Sequence, residues 1–374
     1  MLGCGVYSGR LFPQQTSNML LDDAKIIART DKGNVRGSIA TLSSQVGDAW
    51  RDASRVRVPA RYKKATNVVV SGMGGSTLGA HIVSSVFSDT MKVPFSFVNG
   101  YKLPGSVNRK TIVILSSYSG TTEETLACFK EAKKRGAMLM GITTGGPLAR
   151  MLRAAKAPSY IFKPTRNPSG QPRMGLGYMA TGLIALLARV GVVRVSSAEM
   201  RALPKRLATI GARWAVGVPT KRNQAKLMAR TLAGKIPVLV AAEHLTAGVH
   251  IMQNQVQESA KQFCAYFPLP ELNHHLMEGL KFPLALKKLM TFVFIGSKLY
   301  SPRVWRRFDV TEMVVGKQGF DFHQFIATEP TRLGQAFETL AFTSAVSFYL
   351  SMQNRVNPSN IPWVAFFKKL LARG

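Results

Sequence analysis

The sequence predicts an α/β protein of two domains, each a mainly parallel sheet flanked by helices. Three observations carry this expectation. Short apolar, β-branched runs alternate with longer segments of helical period, the pattern of strands buried on both faces by crossover helices. Two of those runs, VVVSGMGGSTLG (68–79) and VILSSYSGTTEET (113–125), break into glycine and hydroxyl residues just before a helix. The same alternation returns in the second half, without an exact repeat.

Taken in order, SIATLSSQVGDAWRDASRV (38–56) sets Ile39, Leu42, Val46 and Trp50 at helical spacing. NVVVSGM begins the first α/β unit as a buried strand, with a helix over about Thr77 to Phe87. PFSFVNG, TIVILSS, AMLMGITTGG and SYIFKP read as four more strands. A helix from about Thr122 to Arg135 follows the third strand, and an apolar helix covers 174–190. Residues 197–231 are charged and helical. IPVLVAAE and TFVFIGS are strands of the second unit, separated by a helix near 247–265. Helices over 333–352 and near FFKKLLARG end the pattern. The expected division is a helical lead over 1–60, a first domain over 61–195, a bridge over 196–230 and a second domain over 231–374.

Composition narrows the functional class. The chain has 374 residues and is 46% apolar, enough for a sizeable core. Its formal net charge of +31 comes from scarce acids, 19 Asp+Glu against 50 Lys+Arg. The basic residues form no arm and carry no RNA-binding aromatic signature. Such a field attracts any anionic small molecule, so nucleic acid is expected only as incidental binding to a basic surface. Three dispersed cysteines, Cys4, Cys128 and Cys264, suggest neither a disulfide framework nor a zinc site. The stretch MATGLIALLA (179–188) stops at Arg189, too short to cross a bilayer, and MLGCGVYSGRLFPQQ lacks a signal-peptide pattern. A cytoplasmic protein without membrane contact is expected.

The two glycine–hydroxyl turns suggest the ligand. Gly74, Gly75 and Ser76 form one strand-to-helix turn, and Ser117, Ser119, Thr121 and Thr122 surround Gly120 in the other. Glycine lets the backbone approach an anion. The unpaired N–H groups of a helix start, with the helix dipole, favour negative charge there. The first turn lacks the Rossmann G-x-G-x-x-G spacing, and no P-loop is present. Alone it also reads as a structural tight turn. A well-capped helix explains one hydroxyl of the second turn but hardly four.

The two turns resemble those of the sugar isomerase (SIS) domain, which binds phosphosugars through a Ser/Thr loop. NPSGQPRMGLGYMATGLIALL (167–187), QNQVQESAK (253–261), LPELNHH (269–275) and NPSNIPWVAFFK (357–368) resemble, in order, segments of the bifunctional phosphoglucose/phosphomannose isomerase family. Thr121 and His275 stand where that family has asparagine. Residues 297–340 align only loosely.

The resemblance implies two SIS-type domains and a metal-free, cofactor-free aldose–ketose isomerase acting on a hexose 6-phosphate through an enediol. It implies Glu258 as the base, His274 as the ring-opening group, Arg173 at the oxyanion or a sugar hydroxyl, and Lys368 as a further ring-opening lysine, with Lys369 its neighbour in register. Ser117, Ser119 and Thr122 would hold the phosphate, and Gly74, Gly75 and Ser76 the sugar. It further implies a homodimer whose His274 reaches the neighbouring site. Without the resemblance, Glu258 reads as a helical partner of Lys261, three residues on. The alternative reading is a non-catalytic SIS-type regulator that binds a phosphosugar and has nucleic-acid affinity.

Overall fold

The computed structural model describes residues 20–371. Cys4 and the N-terminal segment read above for a signal pattern lie outside them. Three helices open the described chain, α1 (Ala24–Thr30), α2 (Val35–Ala40) and α3 (Leu42–Ala53). The expected helix over 38–56 is therefore two helices. They part at Thr41, whose single hydroxyl proton has the backbone oxygens of Gly37, Ser38 and Arg166 within reach as acceptors, a side-chain bond that competes with a continuing turn.

The first sheet is all parallel, in the order β2-β1-β3-β4-β5. Its strands are β1 (Asn67–Ser71), β2 (Phe95–Val98), β3 (Thr111–Ser116), β4 (Met138–Thr143) and β5 (Ser159–Ile161). The Val/Ile/Leu runs of β1 and β3 are buried almost throughout, as both faces of the sheet are covered. Helices α4 (Gly75–Phe87), α5 (Glu123–Lys134) and α6 (Gly146–Ala154) connect the strands. Glu123 and Glu124 begin α5 while Lys133 and Lys134 end it, matching the dipole at both ends. Strand order reverses between β1 and β3, so their C-terminal ends open a crevice at the switch point.

Helix α7 (Leu176–Val190) is buried on nearly every side and packs on α3 and α4. Helices α8 (Ser197–Ala212) and α9 (Gln224–Leu232) lead to the second sheet. That sheet is also parallel, in the order β7-β6-β8-β9. Its strands are β6 (Ile236–Ala242), β7 (Ala265–Leu269), β8 (Met290–Ser297) and β9 (Asp321–Ala327). Between β6 and β7 runs α10 (Thr246–Gln255), which passes into a π-helical turn, Val256–Ala260. The helix expected over 247–265 therefore ends early, and β7 replaces its last residues. Short helices α11 (Leu276–Gly279) and α12 (Leu286–Leu289) precede β8, and α13 (Pro302–Lys317) precedes β9.

The apolar α14 (Arg332–Gln353) runs through the middle, buried along almost its whole length, packed on α9 and α10. Because α10 also packs on α4, one continuous core spans both sheets. The last helix, α15 (Pro362–Leu371), has no buried residue, and its Trp363 is 80% exposed. Cys128 and Cys264 are free and buried, and burial pushes both thiols up from their ordinary values. Among the described residues, no helix is long and apolar enough to cross a membrane.

Candidate functional site

The crevice between β1 and β3 gathers both glycine–hydroxyl turns. Ser116 donates its hydroxyl to the Ser76 carbonyl at 2.6 Å, and the Tyr118 N–H donates to Ser76 Oγ at 2.9 Å. The two turns are thus tied into one cup, and the Ser76 side chain serves as the tie. In the second turn, the hydroxyls of Ser117 and Thr122 are 2.8 Å apart, and those of Ser119 and Thr121 are also 2.8 Å apart. Ser117 Oγ accepts from the Gly120 N–H at 3.0 Å. Gly120 itself has φ +72°, and a Cβ there would stand 2.0 Å from the Gly145 carbonyl oxygen, so no other residue fits.

None of these hydroxyls caps its helix. Helices α1, α2, α8, α9, α13 and α14 each begin under a side chain that accepts from their first N–H groups. Helices α4 and α5 begin without one, as do α3, α6, α7, α10, α11 and α12. At the start of α4 the Ser76 and Thr77 N–H groups donate to the Met73 and Gly74 carbonyls, so the donors facing the cup are chiefly those at the start of α5, where the helix dipole adds its positive end.

Arg173 closes the cup from the side. It lies in a short turn, Pro172–Met174, ahead of α7. A Cβ on Gly75 would come within 3.2 Å of the Arg173 backbone nitrogen, so the absent side chain permits this close approach. Two buried glutamines clamp the turn. Gln45 of α3 donates to the Met174 carbonyl at 3.0 Å, and Gln255 of α10 donates to the Arg173 carbonyl at 3.1 Å. Ser344 of α14 holds Gln255 in turn, donating its hydroxyl to the amide oxygen at 3.0 Å.

The Arg173 guanidinium is almost fully buried. Its Nε donates to Ser259 Oγ at 3.1 Å. One terminal nitrogen donates to Gln171 Oε1 and to Glu258 Oε2, each at 3.0 Å. The other donates to the backbone carbonyls of Pro358 and Ser359. All five donors are therefore engaged. Burial lowers the Arg173 pKa from its ordinary value and Glu258 opposes that shift. Glu258 is delivered by the π-helical turn after α10, with its side chain 34% exposed, so the carboxylate meets both the arginine and solvent.

The structure thus brings Gly74, Gly75, Ser76, Ser117, Ser119, Thr122, Arg173 and Glu258 into one region. Neither His274 nor Lys368 is bonded to that group within a single chain. Both are exposed, His274 in a short 3-10 turn before α11 and Lys368 on α15. Among the described residues, no hydrogen bond or ion pair joins either one to Arg173 or Glu258. Sequence reasoning missed Ser259, Gln45, Gln255 and the carbonyls of residues 357–359. It took Lys261 for a helical neighbour of Glu258. Lys261 in fact ends the π turn in the left-handed conformation, φ +53°.

The two parallel sheets, the first with a glycine–hydroxyl turn at its switch point, make this an α/β protein of the SIS class. Residues 61–161 match the SIS domain family, and residues 221–371 match the bacterial phospho-glucose isomerase C-terminal SIS domain. A bifunctional phosphoglucose/phosphomannose isomerase from Caldicellulosiruptor bescii is 28% identical over 90% of this chain and 98% of its own length. One of the same description from Aquifex aeolicus is 30% identical over 71% of this chain and 76% of its own. The fold is shared with a hypothetical protein from Thermus thermophilus, with a TM-score of 0.71, 15% identity, and coverage of 96% of this chain and 94% of the other. The chain belongs to the bifunctional phosphoglucose/phosphomannose isomerase family.

Proposed function

We propose that this protein is an aldose–ketose isomerase that interconverts glucose 6-phosphate and mannose 6-phosphate with fructose 6-phosphate, with Glu258 as the base. The observation that carries the reading is the Arg173–Glu258 contact, made at 3.0 Å across 85 positions of sequence beside an uncapped anion cup. A binding module needs the cup alone. An isomerase also needs a carboxylate beside it to carry the proton between C1 and C2.

The phosphate sits on Ser117, Ser119, Thr122 and the first N–H groups of α5. The sugar lies along Gly74 and Gly75 toward Glu258. Glu258 takes the C2 proton of the aldose, the enediol forms, and the same carboxyl returns the proton to C1. His274 opens the ring from a second copy of the chain, and Lys368 assists. Trp363, Phe366, Phe367, Leu370 and Leu371 are all exposed along the single helix α15 and support such pairing, because a contiguous apolar patch marks an interaction surface. Within this reading the first domain spans 61–195, the bridge 196–230 and the second domain 231–374.

Glu258→Gln tests the base. The amide oxygen still accepts from Arg173, so binding measured by calorimetry stays near wild type while turnover falls roughly 10²–10⁴-fold. Wild-type turnover in that variant would sink the assignment. Mixing Glu258→Gln with His274→Ala tests the shared site. Each alone is inactive, and random re-pairing restores about a quarter of wild-type turnover, because half the dimers are mixed and each mixed dimer has one intact site. No recovery after subunit exchange would place His274 outside the neighbouring site.

A further inference from the structure

We infer that Lys261 is a second cation, beside Arg173, that meets the oxygen charge developing on the substrate. This rests on the isomerase reading above. The reaction needs donors for that oxygen, and each Arg173 donor already has a protein acceptor, so a second cation with an unused N–H is called for. Lys261 has one. Its ammonium donates to the Ser259 carbonyl at 3.1 Å and to the Asn357 carbonyl at 2.8 Å, which leaves its third N–H unused. The residue is exposed as a whole, so a ligand can reach it.

Two further features favour this role. Lys261 holds a left-handed backbone without being glycine, and it follows a π-helical turn. Both features concentrate where function demands an unusual aim. Its anchors are also those of Arg173. Asn357 accepts from Lys261, while Pro358 and Ser359 accept from Arg173, so three successive carbonyls hold two cations beside one carboxylate. The charged groups facing Lys261 are Arg173 and Glu258.

The chemistry balances. Glu258 takes the C2 proton, the C2–H electron pair becomes the C1=C2 bond, and the carbonyl pair moves onto O1. The Lys261 N–H bonds that oxygen as its charge grows. The O2 proton then passes to O1, C2=O forms, and Glu258 returns its proton to C1. Local loss of hydration, then the Arg173 charge, pushes the Lys261 pKa down to about 8, with Glu258 opposing. A neutral amine keeps two N–H groups for the same two carbonyls, so the charge is lost without loss of position.

The experiment is a pH–rate profile of wild type, Lys261→Met and Lys261→Arg, assayed in the fructose 6-phosphate-forming direction with both aldose 6-phosphates. Wild-type kcat falls about tenfold between pH 7 and pH 9, as expected for a charge required above its own pKa. Lys261→Met lowers kcat at pH 7 roughly 10²–10³-fold, the cost of one lost oxyanion donor, with KM within about threefold. Lys261→Arg keeps measurable turnover and loses the alkaline limb. If Lys261→Met keeps wild-type kcat, or Lys261→Arg shares the wild-type limb, the role is overturned while the isomerase reading stands. If Lys261→Met does not fold, the Lys261→Arg profile decides alone. Wild-type protein without turnover on either aldose would overturn both readings.

Discussion

The two sheets share a topology and differ at their switch points. Between β1 and β3, the chain presents glycine, paired hydroxyls and two helix starts without caps. Between β6 and β8, the equivalent crevice is filled by the protein itself. Tyr300 is buried there, and its hydroxyl both accepts from the Ala242 N–H at 3.0 Å and donates to the Ala242 carbonyl at 2.9 Å. His244 meets Gln335 at 2.9 Å, and Gln335 also takes the Ser297 hydroxyl. The first crevice leaves Gly74, Ser119 and Thr121 exposed, and the second turns its polar groups on itself. The second half contributes instead from the far end of α10, where Glu258 meets Arg173 beside the first half's cup. A parallel sheet offers a site at its switch point, and the side chains there decide whether the site is kept or plugged.

Three tests would break or sharpen this contrast. The largest effect is expected at the open crevice. Removing the hydroxyl pair with Ser117→Ala and Thr122→Val deletes two bonds to a charged group, each worth about 1.5–3 kcal/mol. KM for hexose 6-phosphate rises roughly 10²–10⁴-fold in steady-state assays, and stability also falls by about 1–3 kcal/mol because the buried Gly120 N–H loses its Ser117 acceptor. Unchanged affinity would mean that the cup is not the phosphate site. At the plugged crevice only stability suffers. Tyr300→Phe leaves the buried Ala242 N–H without its acceptor and costs about 1–3 kcal/mol in denaturant unfolding, yet KM stays within about twofold. A large KM effect there would mean that the second crevice also holds ligand.

The smallest effect is at the joint between the halves. His81 of α4 and His250 of α10 face each other with Nδ1 atoms 3.3 Å apart. Phe97 packs on one ring and Tyr266 stacks on the other. Burial, then the neighbouring histidine, holds the His81 pKa down to about 4, and burial lowers His250 as well. The unfolded chain, with histidine at its ordinary 6.5, takes up protons that the folded chain refuses. Stability is therefore complete above that value and is lost as pH falls from about 6.5 toward 4. Thermal midpoints at pH 7.5 and 4.5 should differ less in His81→Phe than in wild type. An equal drop in both would remove the pair from the joint's acid sensitivity.

Much of this architecture is legible in the residues, and the gaps have causes. The central strands β1, β3, β4, β6 and β8 are long apolar runs because both their faces are covered. The edge strands β7 and β9 escape notice. AYFPL contains a proline and is mostly half-buried, and DFHQFIA mixes polar residues with aromatics because its outer side meets solvent. The end of α10 carries neither glycine nor proline, so nothing local announces the π turn. The cup is visible because each of its turns is contiguous. Arg173 and Glu258 each stand out only by resemblance to a family, and no local pattern pairs residues that lie 85 positions apart. Lys261 is three residues from Glu258, and an assumed regular helix hides what its left-handed backbone does with it.

The grip of residues 357–359 on Arg173 and Lys261 has a consequence for how the protein is made. Arg173 leaves the ribosome 185 positions before the first carbonyl that receives its outer nitrogen. Until then a guanidinium destined for the interior lacks two of its acceptors, and the first domain's cup has an unsettled wall. A nascent chain cut short before residue 357 therefore retains both sheets and all nine described strands but not a finished site. Translation to nearly the last helix is the step that turns a folded chain into a working one.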